Sequence, residues 1–352
     1  MAFNMIEKFK IDIPREKVSK IKEKVKNYPW NLIPNLPDWK HGTNLPYLKE
    51  ICDYWIKDFD WSLYEKKIND FQNFKTHVDG INIHFIKEEG SGSNPKNLLL
   101  IHGWPGSVIE FIEIINQLAH PENYGGNKED GVTVIAPSLP GFGFSESSNE
   151  PYGPRKIAEI LNKMMTINLK YKNYVAQGGD WGATIANWLG YDHDKYCKAI
   201  HINCLTMRHP DGPQTDKEKK WQEKFDKDQI MQDGYRTQQA TKPQTLSYAM
   251  MDSPVGIAAW IIEKMHGWSD LKDGNIESVY SRDVLLANIM TYLCTDTFST
   301  STWIYFGRRE EGGRLFPKDF KKINIPTGIA VFPKEMSEWP PRSYVERIFN
   351  IK

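Results

Sequence analysis

Three runs constrain this chain most: NLLLIHGWPGS, VTVIAPSLPGFGFS and NYVAQGGDWG. Each is a continuous apolar stretch that stops at a glycine-rich turn. An apolar run without polar alternation has to be covered on both faces. CKAIHINCL reads as a fourth such strand, and INIPTGIAVFPKE returns to the pattern late in the chain. Helical stretches, VIEFIEIINQLA and ATIANWLGYDHDKY among them, lie between. Apolar strands alternating with helices predict an α/β fold with a mostly parallel sheet.

The flanking segments follow other rules. IPREKVSKIKEKV puts Val18, Ile21 and Val25 on one helical face, with Pro14 near the start. YPWNLIPNLPDW reads as a meander. YLKEICDYWIKDF reads as a second helix with Leu48, Ile51, Trp55 and Phe59 at helical spacing. FKTHVDGINIHFIKEE alternates and turns at Asp79-Gly80, a hairpin signal. From about residue 206 to 290 the rhythm breaks into charged and aromatic helices, which predicts an inserted cap. The expected organisation is an N-terminal arm over 1–90, a first part of the core over 91–205, the cap over 206–290 and a second part of the core over 291–352.

Composition excludes several function classes. The formal net charge is +0 and there is no basic block, which argues against nucleic acid as a partner. Cys52, Cys197, Cys204 and Cys294 form no CxxC pair and read as reduced thiols. The histidines are scattered without HExxH spacing, so no metal and no dinucleotide cofactor is expected. No apolar run reaches the length of a signal peptide or a membrane anchor, and a cytoplasmic protein is expected.

The chemistry is concentrated in two turns. In Gly178-Gly179-Asp180-Trp181-Gly182 small residues let the backbone turn sharply, which pushes the Asp180 side chain out at the end of a strand. The bland reading is an acid capping a helix. His102-Gly103-Trp104-Pro105-Gly106-Ser107 ends an earlier strand in a second tight turn. An α/β-hydrolase layout would make the backbone N–H groups of Trp104 and Trp181 a pair of oxyanion donors. A free aspartate titrates near about 3.9, so it needs no base to act as a nucleophile. It can be alkylated to an ester, whose hydrolysis then needs an activated water and an oxyanion site.

HGWPGS, PSLPGFGFSE, GGDWG, DGYRTQQATKPQTL and IPTGIAVFPKE resemble the microsomal-type epoxide hydrolases, a group that includes the insect juvenile-hormone epoxide hydrolases. FKIDIPREKV, YPW and FDWSLYEKKIN resemble that family's N-terminal domain, so the resemblance spans nearly the whole chain. It implies an α/β-hydrolase core with a helical cap, a small apolar epoxide and water as substrates, and no cofactor. It also implies Asp180 as the nucleophile, Tyr235 and Tyr305 as two phenols facing the site, and Glu335 as the acid that orients a histidine base. A phenol, with a pKa of about 10, can protonate the alkoxide of an opened epoxide.

The family's histidine lies in a Gly-Gly-His-Phe-like segment after the acid, and the sequence ends at Lys352 without one. His201 and His209 flank the start of the cap. The expectation is therefore a chain cut short, lacking the final strand and helix, with a long-lived ester on Asp180. Two other readings stay open. A haloalkane dehalogenase also uses an aspartate, with Trp donors for the halide, and Trp104 and Trp181 keep that alternative in play. An inactive homologue that binds an apolar ligand under the cap is the non-enzymatic alternative.

Overall fold

The computed structural model describes residues 6–335 and 338–352. Its strands are β1 (Ile6–Lys8), β2 (Gln72–Val78), β3 (Ile81–Glu88), β4 (Asn97–Ile101), β5 (Thr133–Pro137), β6 (Tyr174–Gly178), β7 (Cys197–Ile202), β8 (Ile323–Ile329) and β9 (Phe349–Ile351). They form one sheet in the order β1-β2-β3-β5-β4-β6-β7-β8-β9. From β5 to β9 every pairing is parallel, while β1, β2 and β3 add an antiparallel edge. The apolar runs lie at the centre, as a two-faced strand requires. Leu99, Ile101, Val134, Ile135 and Ala176 are buried there. Asp79-Gly80 makes the β2–β3 hairpin turn, and both residues have positive φ.

Helices cover the sheet. The helix Asp180–Asp192 is buried at every position from Trp181 to Gly190, which is why its sequence shows little amphipathic pattern. Between β7 and β8 the chain leaves the sheet through helices at Asp216–Gln229, Gly234–Thr241, Pro243–Met250, Pro254–Gly267, Arg282–Thr295, Phe298–Ser301 and Trp303–Glu310. The expected cap segment 206–290 falls inside this excursion, which continues to Glu310. A capping box starts the first of these helices: Glu218 N–H donates to Thr215 Oγ1 at 3.3 Å, and the Glu218 carboxylate returns to the Thr215 N–H.

The N-terminal arm ties onto this excursion. Its helices are Arg15–Lys26, Leu45–Lys57 and Trp61–Asn69. Tyr54 OH donates to Asp283 Oδ1 at 2.8 Å, Lys24 pairs with Asp252 at 2.6 Å, and the Trp39 ring stacks on His266 at 3.7 Å. No helix among the described residues is long and apolar enough to cross a membrane.

The expected loss of a final strand and helix is corrected here. The helix Arg342–Ile348 follows Glu335 and leads into β9, which pairs parallel with β8. Tyr344, Val345, Ile348 and Phe349 are all buried. The run SYVERIFNI is short, but its apolar residues recur at helical spacing and its last three residues reach the β8 edge. Replacing the buried Phe349 removes a large side chain from this junction. Phe349→Ala is expected to cost about 3 kcal/mol, measured as a lower urea midpoint with an unchanged slope.

Candidate active site

Asp180 begins its helix with φ of +48°, a left-handed conformation that Asp tolerates better than most residues. Gly182 makes this turn possible. A Cβ there would stand 1.9 Å from the Ile101 carbonyl oxygen, so only glycine lets the helix start this close to β4. Gly103 plays the same part on the facing turn, where a Cβ would meet Asp180 Oδ1 at 2.2 Å. The two glycine-rich turns therefore close on one carboxylate.

Backbone donors hold that carboxylate. Trp104 N–H donates to Asp180 Oδ1 at 2.7 Å, and Trp181 N–H also points at the carboxylate. The helix N-terminus adds a partial positive charge. Even so, burial raises the Asp180 pKa to about 6, against the lowering effect of both N–H groups and of Arg308; Glu335 raises it further. Arg308 lies over the Trp181 ring at 4.4 Å, and burial lowers its own pKa to about 10.

A cavity of about 490 Å³ opens over Asp180. Its walls include Trp104, Phe225, Met265, Trp268 and Leu205, with Glu110, Lys264, Asn288 and Glu335 as polar points. An apolar cleft with a few convergent polar groups suits a small organic ligand.

The structure brings all six expected residues together, although not all of them in the same way. Asp180, Trp104 and Glu335 line the cavity. Tyr235 and Tyr305 sit behind the Trp104 indole and are not among its lining residues. Tyr235 stacks on Trp104 at 5.4 Å, Tyr305 meets Trp104 edge-on at 5.7 Å and Trp181 at 4.6 Å, and the two phenol rings lie 5.8 Å apart. Burial pushes both phenols up in pKa, and the negative charge of Asp180 raises them further. A high phenol pKa keeps each O–H protonated and able to donate.

The histidines stand elsewhere. No histidine among the described residues lines the cavity. His102 is buried beneath its turn, where its Nε2 accepts the Leu139 N–H at 3.1 Å and burial lowers its pKa to about 4. His209 accepts the Asp211 N–H at 3.2 Å, and its ring packs on Phe320.

Four further groups at the site went unnoticed in the sequence. Lys264 is buried with its Nζ 4.5 Å over the Tyr235 ring, beside the Glu263 carboxylate. Cys204 lies against the Asp180 carbonyl at 3.8 Å. Arg308 follows Tyr305 by three residues, one helical turn on, and that spacing is the signal that could have placed it. Glu110 is the single acid in the apolar stretch SVIEFI, directly after the HGWPGS turn.

The fold and the site define a hydrolase of the α/β class with an aspartate at the tip of its strand–turn–helix. The alpha/beta hydrolase fold model matches residues 96–250, and a model described as the epoxide hydrolase N terminus matches residues 6–111. Epoxide hydrolase 1 of Sus scrofa is 34% identical over 96% of this chain and 80% of its own length. A Stigmatella aurantiaca relative is 37% identical over 97% of this chain and 78% of its own length. The crystal structure of juvenile hormone epoxide hydrolase from Bombyx mori superposes with a TM-score of 0.85 at 27% identity, covering 99% of this chain and 88% of that one. The Aspergillus niger epoxide hydrolase structure gives 0.84 at 26% identity, with the same coverage. The chain belongs to the epoxide hydrolase family, and its activity is the hydrolysis of an epoxide.

The raised Asp180 pKa has a sign that can be tested. A carboxyl whose pKa rises on folding binds its proton more tightly when folded, so stability falls as pH climbs from the unfolded value near 4 through about 6. Asp180→Asn removes the charge. It is expected to raise stability at pH 8 by roughly 1–3 kcal/mol, and the gain should vanish below pH 4, as read by urea unfolding at the two pH values.

Proposed function

We propose that the chain hydrolyses a small apolar epoxide in two steps, with Asp180 as the nucleophile. The observation that carries this reading is the Asp180 carboxylate at the cavity floor, with Oδ1 fixed by the Trp104 N–H at 2.7 Å. Fixing one oxygen leaves the other free to attack an epoxide carbon from the cavity. As the C–O bond of the ring breaks, Tyr235 and Tyr305 donate to the departing oxygen. The Trp104 indole, which now covers the phenols, turns aside to let that oxygen reach them.

The second step hydrolyses the ester. Water attacks the Asp180 carbonyl carbon, and the carbonyl oxygen of the ester becomes an oxyanion held by the N–H groups of Trp104 and Trp181. These donors already face the carboxylate, so no reorganisation is needed when the charge develops. Glu335, on the cavity wall, is the carboxylate that the family resemblance pairs with a histidine base, and no histidine among the described residues lines the cavity. Phe225, Met265, Trp268 and Leu205 favour a bulky apolar substituent on the epoxide. Water and the epoxide are the only reactants in this scheme.

Rapid quenching with excess styrene oxide, followed by intact mass, tests the reading. The expected result is a transient mass gain of one epoxide that Asp180→Asn abolishes. Tyr235→Phe and Tyr305→Phe are each expected to slow ester formation by about tenfold to a hundredfold. Turnover by Asp180→Asn at the wild-type rate would sink the proposal.

A further inference from the structure

Lys264 and Arg314 are the cations on the cavity wall. Lys264 is matched by the Glu263 carboxylate beside it. The Arg314 guanidinium lies 5.5 Å from the Phe225 ring centroid, and no hydrogen bond or salt bridge joins it to a carboxylate among the described residues. We infer that Arg314 receives a carboxylate carried by the substrate. The preferred epoxide is then an epoxy acid, with an apolar chain between its two polar ends. The inference rests on the proposed hydrolysis at Asp180, and it adds a polar end to the apolar substituent described there.

The surroundings of Arg314 are short of negative charge. Phe225 lies on the helix Asp216–Gln229, lines the cavity and packs against two guanidinium groups. Arg208 is 4.5 Å from its ring centroid, against 5.5 Å for Arg314. The backbone ties the two arginines together: the Arg208 N–H donates to the Arg314 carbonyl at 2.7 Å. Arg208 is buried, and its Nη1 donates to the Leu205 carbonyl at 2.8 Å rather than to an acid. Arg308 lies over the Trp181 ring, and Arg236 pairs with Asp233. Burial lowers the pKa of Arg208 and of Arg308 to about 10, and the charge of Arg236 adds to that, yet both stay cationic at neutral pH. Among the described residues, Asp233 is the only carboxylate in a salt bridge with any of these four arginines.

The four side chains serve different ends. Arg208 is fixed by backbone carbonyls and aromatic rings, which is a structural use. Arg236 and Arg308 are not among the residues that line the cavity, whereas Arg314 is. A guanidinium can rest its face on an aromatic ring while its edge meets both oxygens of a carboxylate. An unpaired cation in a partly desolvated wall is costly, and an incoming anion relieves that cost. The three cations behind Arg314 add to the attraction.

The acids of the cavity orient such a ligand. Asp180, Glu110, Glu113 and Glu335 also line the wall, and they repel a carboxylate that lies away from the arginines. Glu335 borders the recess that Arg208 faces, which leaves the Phe225 side, at Arg314, as the place for an anion. With its carboxylate held there, an epoxy acid has its epoxide end left for Asp180. Leu205, Met265 and Trp268 offer apolar contact to the chain.

Steady-state hydrolysis of straight-chain terminal epoxy acids and of their methyl esters tests the inference, with styrene oxide as the neutral reference. The chain is lengthened one methylene at a time. The wild type is expected to favour the acid over its ester in kcat/KM by at least about tenfold at the best length. That preference should peak at one length, because Arg314 and Asp180 stand a fixed distance apart. An effect of overall charge gives no peak. Arg314→Gln is expected to erase the preference through a higher KM for the acid, with kcat changed less than about threefold. Arg314→Lys keeps the charge without the fork and should retain part of the preference. Equal kcat/KM for acid and ester at every length overturns the inference in the wild type alone, so a misfolded variant does not leave the question open. A preference that survives Arg314→Gln, or a variant that loses acid and ester alike, overturns the role of Arg314. Hydrolysis of styrene oxide and the esters but not of the acids overturns the inference and leaves the reading of the site intact. If none of these epoxides is hydrolysed, that reading fails, and the inference with it.

Discussion

The hydrogen bond from Trp104 N–H to Asp180 Oδ1 joins two turns that are 76 residues apart in the chain. Each turn ends a central strand, and each is shaped by a glycine that allows the other to approach. Strand pairing between β4 and β6 sets the ends of the two strands side by side, with Ile101 opposite Gly178. The site therefore inherits its precision from the parallel ladder beneath it. A carboxylate fixed in this way has lost most of its freedom before a ligand arrives, and a preorganised dipole does not have to be reoriented during reaction.

The site's electrostatics are a contest between burial and a small number of donors. Burial alone would neutralise Asp180. Two backbone N–H groups and the Arg308 guanidinium keep its pKa at about 6, so the carboxylate dominates at neutral pH. Glu110 lies close by with two N–H groups of its own and comes out on the other side of neutrality. Arg308, over the Trp181 ring, offsets part of the negative charge of Asp180.

Much of this was legible in the sequence, and the limits have physical causes. Asp180, Trp104 and Trp181 could be placed because strand, turn and helix are contiguous there and glycine marks the close approach. The hairpin at Asp79-Gly80 was legible for the same local reason. Tyr235 and Tyr305 lie in helices at Gly234–Thr241 and Trp303–Glu310, and only tertiary packing brings them together, so a resemblance was needed to find them. Glu110 was hidden because SVIEFI reads as an ordinary amphipathic stretch, and its carboxyl folds back against the direction that pattern suggests. The closing helix and β9 were missed because SYVERIFNI packs a 7-residue helix and a 3-residue strand into one short run with no turn residue between them, although its buried residues settle the sheet edge.

The arm gives the cap more than cover. A cap joined to its core only through the chain segments beside β7 and β8 would pivot about that side. Here Lys24–Asp252, Tyr54–Asp283 and the Trp39–His266 stack fasten it from the arm as well. With restraint on more than one side, a rigid-body swing has to break polar contacts and an aromatic stack together. Smaller motions, such as turning the Trp104 ring, break none of these. The arm thus shifts ligand admission from the scale of a domain to the scale of a side chain, and with it the size of molecule that can enter quickly.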